Sequence, residues 1–165
     1  MKNYILYIFI SFCSLGFSQE SLPELLNKYN NNSVPYIFVE ELAIPKNEVV
    51  ILDAREPLEY KVSHLKNAIC VGYDDFNLKK TIKKLSDKQQ TIVVYCSLGI
   101  RSEDIGEKLK KAGYTNVYNL YGGIFEWKNK DFKVYNTENS ETENVHTFNE
   151  AWSKWLLKGN KVYEK

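Results

Sequence analysis

Short apolar runs alternate with amphipathic segments along the chain, and this alternation predicts most of its architecture. Five runs have the length and the apolar, β-branched composition of buried strands; they are 36–39, 48–53, 68–71, 91–95 and 116–120. Segments with helical periodicity or helix-capping residues precede or separate them; they are 21–29, 57–61, 76–85, 102–113 and 125–128. Because strands that alternate with helices form right-handed crossovers, we expect an α/β fold with a mainly parallel central sheet and helices on both faces.

The same patterns divide the chain into four parts. We predict a signal peptide at 1–18, an N-terminal helix within 21–33, the α/β domain at 34–130, and a linker with a C-terminal helical extension at 131–165. Within the extension an apolar helical stripe favours a helix that docks back on the domain; its members are Phe148, Trp152, Trp155 and Leu156. A helix that binds a partner protein is the alternative.

The first residues have the layout of a secretory signal peptide. Lys2 supplies the basic start, 4–12 is apolar, and the small residues Gly16 and Ser18 precede a polar segment. This layout predicts cleavage after Ser18 and export, to the periplasm. The apolar segment is too short for a stable membrane span, so we expect none once the signal is cleaved.

Two alternatives stand beside a cleaved signal peptide. One is a retained N-terminal anchor. The other is lipoprotein anchoring at Cys13, against which the large Phe12 immediately before the cysteine argues.

Composition and charge exclude some classes of function. Lysine and arginine number 22 and the acids 21, for a net charge of +1, so no overall field favours nucleic acid as a partner. The two cysteines and two histidines outside the signal peptide show no metal-ligand spacing. We therefore expect one domain that works without nucleic acid, metal or cofactor.

Cys96 is the strongest candidate for chemistry. It follows the buried strand 91–95 and precedes a predicted helix that Ser102 would cap and Gly113 would end. Backbone N–H groups converge at such a strand-loop-helix turn, and the helix dipole favours negative charge there. Both effects lower the pKa of a thiol, so we expect Cys96 to be a nucleophile.

Cys70 lies in the apolar run 68–71, which favours a buried structural thiol. In an oxidising compartment a Cys70–Cys96 disulfide is the alternative, and with it a minor redox role.

Four separated segments resemble, in order, the motifs of the single-domain rhodanese family of sulfurtransferases; they are 52–60, 64–68, 96–102 and 120–127. The resemblance extends over about 34–129. Ser63 and Asn67 stand where the family usually has glycine, in a turn remote in sequence from Cys96.

The resemblance implies a two-step reaction in which Cys96 becomes a persulfide. The donor would be a small sulfur-containing anion such as thiosulfate, or a persulfide, and the acceptor a thiol or a cyanide-like molecule. The anionic sulfur would be bound by loop amides; these belong to Ser97, Leu98, Gly99, Ile100, Arg101 and Ser102.

Supporting roles are also implied by the resemblance. Asp53 and Arg55 would organise the loop from beneath it, with Arg55 and Glu59 at helical pairing distance. For Arg101 two roles are open, namely binding the donor's anionic group and bracing the loop by pairing with an acid. His64 is expected to be structural, because a thiol of low pKa needs no general base.

The length of the loop separates the candidate reactions. Four residues lie between Cys96 and Arg101, whereas the cysteine phosphatases that resemble this fold have five. The shorter loop suits a sulfur atom on Cys96 better than a phosphoryl group, so a phosphatase or arsenate reductase is disfavoured. A sulfur carrier or interaction module without turnover is the main alternative to an enzyme.

Overall fold

A computed structural model describes residues 20–44, 49–85 and 87–163 of the chain. The predicted signal peptide and Cys13 lie outside these residues. Among the described residues no helix is both long and apolar enough to cross a membrane.

Nine strands and seven helices make up the described structure. The strands are β1 Tyr36–Ile37, β2 Val49–Asp53, β3 Ile69–Cys70, β4 Thr91–Tyr95, β5 Val117–Leu120, β6 Val134–Tyr135, β7 Glu141–Thr142, β8 Asn144–His146 and β9 Asn160–Val162. The helices are α1 Leu22–Tyr29, α2 Val39–Ala43, α3 Pro57–Val62, α4 Leu78–Ile82, α5 Arg101–Lys111, α6 Gly123–Asn129 and α7 Glu150–Ser153.

The central sheet has five strands in the order β1-β5-β4-β2-β3. Every neighbouring pair is parallel, and β4 lies in the middle with Leu52 of β2 opposite Val94 and Asn119 of β5 opposite it on the other side. The predicted α/β fold with a mainly parallel sheet is confirmed. In such sheets ligand sites lie at the carboxyl ends of the strands, which is where Cys96 follows β4.

Side chains of β4 alternate between two hydrophobic cores, one on each face of the sheet. Val93 and Tyr95 pack with residues of α1, α6 and the C-terminal extension. Ile92 and Val94 pack on the other face with residues of α5. Because both faces are covered, the strand is buried along almost its whole length and supports the loop that follows it rigidly.

The first helix forms as its sequence predicts. Ser21 caps α1, its side chain and that of Glu24 form a reciprocal capping box, and proline occupies the first turn. The helix ends at Tyr29, and Asn30, which follows it, donates through its side chain to the carbonyl of Gly99 in the loop after Cys96.

Two predicted helices begin later or earlier than expected. Ile100, not Ser102, is the residue before α5, and Ser102 lies inside the helix with its hydroxyl turned to buried polar atoms. The helix predicted over 76–85 is shortened to α4, and Asn77 caps it. Tertiary contacts hold the side chain of Ser102 inside α5, and the side chain of Asn77 accepts from the amide of Lys80 at the start of α4.

The C-terminal extension docks on the domain as predicted, but its described part is mostly not helical. β6 and β7 form an antiparallel pair within the expected linker, β8 pairs with β9 in parallel, and only α7 is helical. Val145 and Leu156 are buried in the core beneath the sheet. The stripe therefore does not form one helix: Trp152 lies in α7, Phe148 precedes α7 and is exposed, and Leu156 follows it and is buried.

Candidate active site

Gly123 allows the loop after Cys96 to lie against α6. The amide of Ile124 donates to the carbonyl of Cys96 at 2.9 Å, and the amide of Phe125 donates to that of Ser97 at 3.2 Å. A Cβ atom on Gly123 would lie 2.3 Å from the Cys96 carbonyl oxygen, so only glycine permits this approach. The start of α6 therefore fixes the backbone at Cys96.

The thiol of Cys96 is 2% exposed and accepts hydrogen bonds from the loop. The amide of Gly99 lies 3.1 Å from Sγ, and Oγ of Ser102 lies 3.5 Å from it. Burial would raise the pKa of the thiol, but the charge of Arg101 and the hydrogen bonds from Ser102 and Gly99 outweigh it. The pKa of Cys96 is therefore lowered, as expected for a nucleophile.

Two asparagines hold the peptide group of Gly99 in place. Nδ2 of Asn30 and Nδ2 of Asn119 donate to the Gly99 carbonyl at 2.8 and 2.7 Å. Oδ1 of Asn119 lies 2.7 Å from Oγ of Ser102 and is the alternative acceptor, beside Sγ of Cys96, for that single hydroxyl hydrogen, so one buried side chain contacts both groups that face the thiol. Asn30 and Asn119 set the curvature that directs the loop toward Sγ.

Arg101 braces the loop by pairing with an acid. Its Nη1 and Nη2 atoms donate to Glu59 Oε2 and Oε1 at 2.7 and 2.8 Å, a bidentate geometry, and Ser97 completes the cluster. Burial would raise the pKa of Glu59, but hydrogen bonding to Arg101 and the charges of Arg101 and Arg55 lower it overall. The carboxylate therefore stays ionised beneath the loop.

A second buried pair lies deeper, under the same edge of the sheet. Arg55 donates to Asp53 through Nε and Nη2 and to the carbonyl of Ser63, and all of its side chain is buried. The hydroxyl of Tyr95 donates to Asp53 at 2.5 Å. The expected Arg55–Glu59 pairing is wrong: Asp53 holds Arg55, which leaves Glu59 free to hold Arg101.

The C-terminal extension forms part of the mouth of the site. A cavity of about 210 Å³ opens beside the thiol, lined by Cys96, Ser97, Leu98, Ile100, Arg101, Phe148 and Trp152. The ring of Phe148 lies over the guanidinium of Arg101, with its centroid 5.4 Å from Cζ. Phe148 and Trp152 thus extend the apolar rim that Leu98 and Ile100 form.

The structure brings the predicted site residues together, with different roles for each. Cys96, Gly99 and Ser102 meet at the thiol, whereas Ser97, Arg101 and Glu59 form the brace. Sequence reasoning missed Asn30, Asn119, Phe148 and Trp152. Buried asparagine within an apolar strand was a usable signal for Asn119, but the other three come from distant segments.

The remaining candidates lie apart from the thiol. His64 stacks on Tyr60 with ring centroids 3.9 Å apart, and its Nδ1 lies 3.1 Å from the Tyr60 carbonyl, which fits a structural role. Cys70 and Cys96 are free thiols, so the disulfide alternative is not formed. Within the described ranges, no three histidine, cysteine or acidic residues cluster in a way that could hold a metal ion.

Comparison with known proteins defines the class to which this fold and site belong. Residues 38–130 match the rhodanese-like domain, and the chain therefore belongs to the rhodanese-like family. It is 38% identical over 88 residues to a tRNA uridine(34) hydroxylase from Aster yellows witches'-broom phytoplasma. The aligned segment covers 52% of this chain and 29% of that protein. The chain spans between 24% and 38% of the length of the curated hydroxylases compared with it.

Two solved structures illustrate the likeness of fold. A rhodanese-related protein from Thermoplasma volcanium is 27% identical, with a TM-score of 0.53 over 61% of this chain and 96% of its own. A thiosulfate sulfurtransferase from Pseudomonas aeruginosa is 24% identical, with a TM-score of 0.57 over 62% of this chain and 20% of its own. The matched family segment ends at residue 130, so Phe148 and Trp152 lie outside it.

Proposed function

We propose that the chain is a sulfurtransferase that carries sulfane sulfur on Cys96. The observation that carries the proposal is a buried thiol of lowered pKa, cradled by the amide of Gly99 and by Ser102 and faced by the charge of Arg101. These groups stabilise one negative charge on sulfur, whether it sits on Sγ or on a second sulfur bonded to it.

The reaction proceeds in two displacements. The Cys96 thiolate attacks the outer sulfur of a donor such as thiosulfate; the donor's S–S bond breaks and sulfite leaves with the bonding pair. Cys96 then carries an anionic persulfide. An acceptor such as cyanide attacks the outer sulfur of that persulfide, thiocyanate leaves, and the Cys96 thiolate is restored. No external oxidant or reductant is required.

No general base is needed for this sequence. The thiol pKa is already lowered, and the ring of His64 is bonded to the carbonyl of Tyr60 rather than turned to Cys96. Displacement at sulfur needs groups that stabilise the developing negative charge, and the loop supplies fixed donors for it rather than a proton acceptor.

Hydroxylation of tRNA, the activity named for the curated relatives, is not what we propose here. The match covers at most 38% of those proteins, and the balanced charge of this chain gives no field that favours nucleic acid. The shared part is the rhodanese-like segment alone.

Turnover of thiosulfate with cyanide as acceptor tests the proposal. We expect the wild-type chain to release thiocyanate, the Cys96→Ser variant to release none above background, and the matched Cys70→Ser variant to keep the wild-type rate. Equal rates for wild type and Cys96→Ser would overturn the proposal. Mass spectrometry of a protein that gains one sulfur on Cys96 without turnover would favour the carrier alternative.

We also propose that the mature chain acts outside the cytoplasm, on the basis of the N-terminal pattern at 1–18. Mass measurement of the N-terminus after expression in a bacterial host with a periplasm should show a chain that begins at Gln19 in the periplasmic fraction. An intact N-terminus in the cytoplasmic fraction would contradict this proposal and leave the sulfur chemistry untouched.

A further inference from the structure

The cavity beside Cys96 has walls that the family segment does not supply. Phe148 and Trp152 come from the segment between β8 and β9, which contains α7 and lies beyond the matched residues 38–130. Together with Leu98 and Ile100 they make the surface beyond the sulfur almost wholly apolar. A substituent attached to the donor sulfur would therefore meet hydrocarbon and aromatic rings.

These walls are held firmly against the domain. Asn129 at the end of α6 donates to the carbonyl of Trp155 at 2.9 Å and accepts from the amide of Leu157 at 2.7 Å. The amide of Phe148 donates to Nδ1 of His146, and the ring of Trp152 packs on Tyr29 of α1 with centroids 6.3 Å apart. Hydrogen bonds and ring contacts on both sides thus give the apolar wall a defined position.

The charge of the cavity is poorly suited to a small dianion. Among the described residues that line it, only Arg101 is charged, and Glu59 accepts one N–H from each of its two Nη atoms, at 2.7 and 2.8 Å. The ring of Phe148 covers the same guanidinium. A doubly charged donor would lose its hydration here and find one cation that is already neutralised by a carboxylate.

The size of the cavity matches a single apolar group. An apolar protein cavity of about 150 Å³ is large enough to bind benzene. The cavity here measures about 210 Å³, which leaves room for one ring or a short branched alkyl group together with the sulfur that reacts.

We propose that this site takes organic sulfane donors whose substituent is apolar and about the size of a phenyl ring, with that substituent packed against Phe148 and Trp152. The inference rests on the proposed sulfurtransferase function and names its donor class. In a thiosulfonate of this kind, the Cys96 thiolate attacks the outer sulfur, the bond between the two sulfurs breaks, and the organic sulfinate leaves with the electron pair. Cys96 is left as the anionic persulfide, and the total charge is unchanged.

The test compares benzenethiosulfonate with methanethiosulfonate, each with cyanide as acceptor. Both carry the same reacting group and charge, so they differ in the apolar substituent and in the intrinsic reactivity it confers. That intrinsic difference cancels when the ratio of their kcat/KM values in the wild type is divided by the same ratio in a variant. We expect Trp152→Ala and Phe148→Ala each to lower the benzene-to-methane ratio by about 10-fold, since each removes one of the two aromatic side chains against which the phenyl ring packs.

Leu157→Ala is the matched control, because Leu157 belongs to the same extension, is 78% exposed and does not line this cavity. Its ratio should equal that of the wild type. Phe148 is 55% exposed, so Phe148→Ala keeps the test decisive if Trp152→Ala fails to fold.

The outcomes separate the two proposals. If neither thiosulfonate nor thiosulfate places sulfur on Cys96, the proposed function fails. If all are used but the benzene-to-methane ratio is unchanged in both variants, or if thiosulfate has a higher kcat/KM than benzenethiosulfonate in the wild type, the apolar-donor inference is overturned and the function stands.

Discussion

Two cysteines lie at the ends of parallel strands on the same edge of the sheet, yet their surroundings differ sharply. Cys96 follows β4 and is 2% exposed, and its pKa is lowered. Cys70 ends β3 and is half-buried, and its pKa is raised by burial and by the charge of Asp53. Position at a strand end is therefore not enough to lower the pKa of a cysteine.

The difference lies in the segment of chain after each cysteine. After Cys96 the loop returns the amide of Gly99 to the sulfur, and α5 begins at Arg101. After Cys70 the next helix begins only at Leu78, and the thiol faces the carbonyl of Arg55 at 3.9 Å. At Cys96 a cation and N–H groups outweigh the effect of burial on the pKa, whereas at Cys70 burial and the charge of Asp53 outweigh the Gly72 amide and the charge of Arg55.

Removal of the cation should give the largest effect on this contrast. In Arg101→Gln, Glu59 is left 2% exposed without its ion pair, and we expect the free energy of unfolding to fall by about 3 kcal/mol. The pKa of Cys96 should rise while that of Cys70 stays the same. Chemical denaturation and pH-dependent alkylation measure the two quantities.

A surface pair provides the control for that variant. Lys111 pairs with Glu107 at 3.1 Å but is 76% exposed, so Lys111→Gln should change the free energy of unfolding by less than about 1 kcal/mol. Equal losses in the two variants would show that the Arg101–Glu59 pair is no more than a surface contact.

Glycine substitutions in the loops after Cys96 and Cys70 should give effects of intermediate size on stability and on sulfur transfer. Gly99 has a φ of +112° and lies where a Cβ would be 3.4 Å from the Leu120 carbonyl, so Gly99→Ala should cost about 2 kcal/mol and slow sulfur transfer. Gly72 has a φ of +71° and a Cβ there would lie 4.0 Å from a side-chain oxygen of Glu56, so Gly72→Ala should cost about 1 kcal/mol and leave transfer unchanged. Denaturation and thiocyanate assays report both; slowed transfer in Gly72→Ala would contradict this distinction.

The smallest effect is expected at the N-terminal helix. Asn30→Ala removes one of two donors to the Gly99 carbonyl and should lower stability by about 1 kcal/mol, with a small rise in the pKa of Cys96. Asn116→Ala is the matched control: it removes an exposed hydrogen bond from the Asn116 side chain to the carbonyl of Gln89 and should leave the pKa of Cys96 unchanged. A pKa of Cys96 that is identical in both variants would remove Asn30 from the site.

The main features of the fold were predictable because they depend on local pattern. The apolar run of β4 and the capping box of Ser21 and Glu24 are both visible in short stretches of sequence. The lowered pKa of Cys96 was predictable for the same reason, since Gly99, Arg101 and Ser102, which lower it, follow Cys96 closely along the chain.

The parts that sequence reasoning missed depend on distant segments. Asp53 and Glu59 each had an available arginine, and only the three-dimensional distances decide that Arg55 pairs with Asp53 and Arg101 with Glu59. The apolar stripe that ends in Leu156 has helical spacing, but it lies between β8 and β9, which pair with each other, and only α7 within it is helical. The aromatic wall at Phe148 results from that pairing and leaves no local signal.

The most direct measurement monitors alkylation of the two thiols against pH in one sample, with each peptide quantified by mass spectrometry. Because the alkylation rate depends on the thiolate, and because the pKa of Cys96 is lowered and that of Cys70 raised, Cys96 should reach half its maximal rate at the lower pH. A persulfide-forming donor should block alkylation at Cys96 and not at Cys70. If Cys96 instead reached half-maximal rate at the same pH as Cys70 or higher, the loop would not stabilise a thiolate and the account would be contradicted.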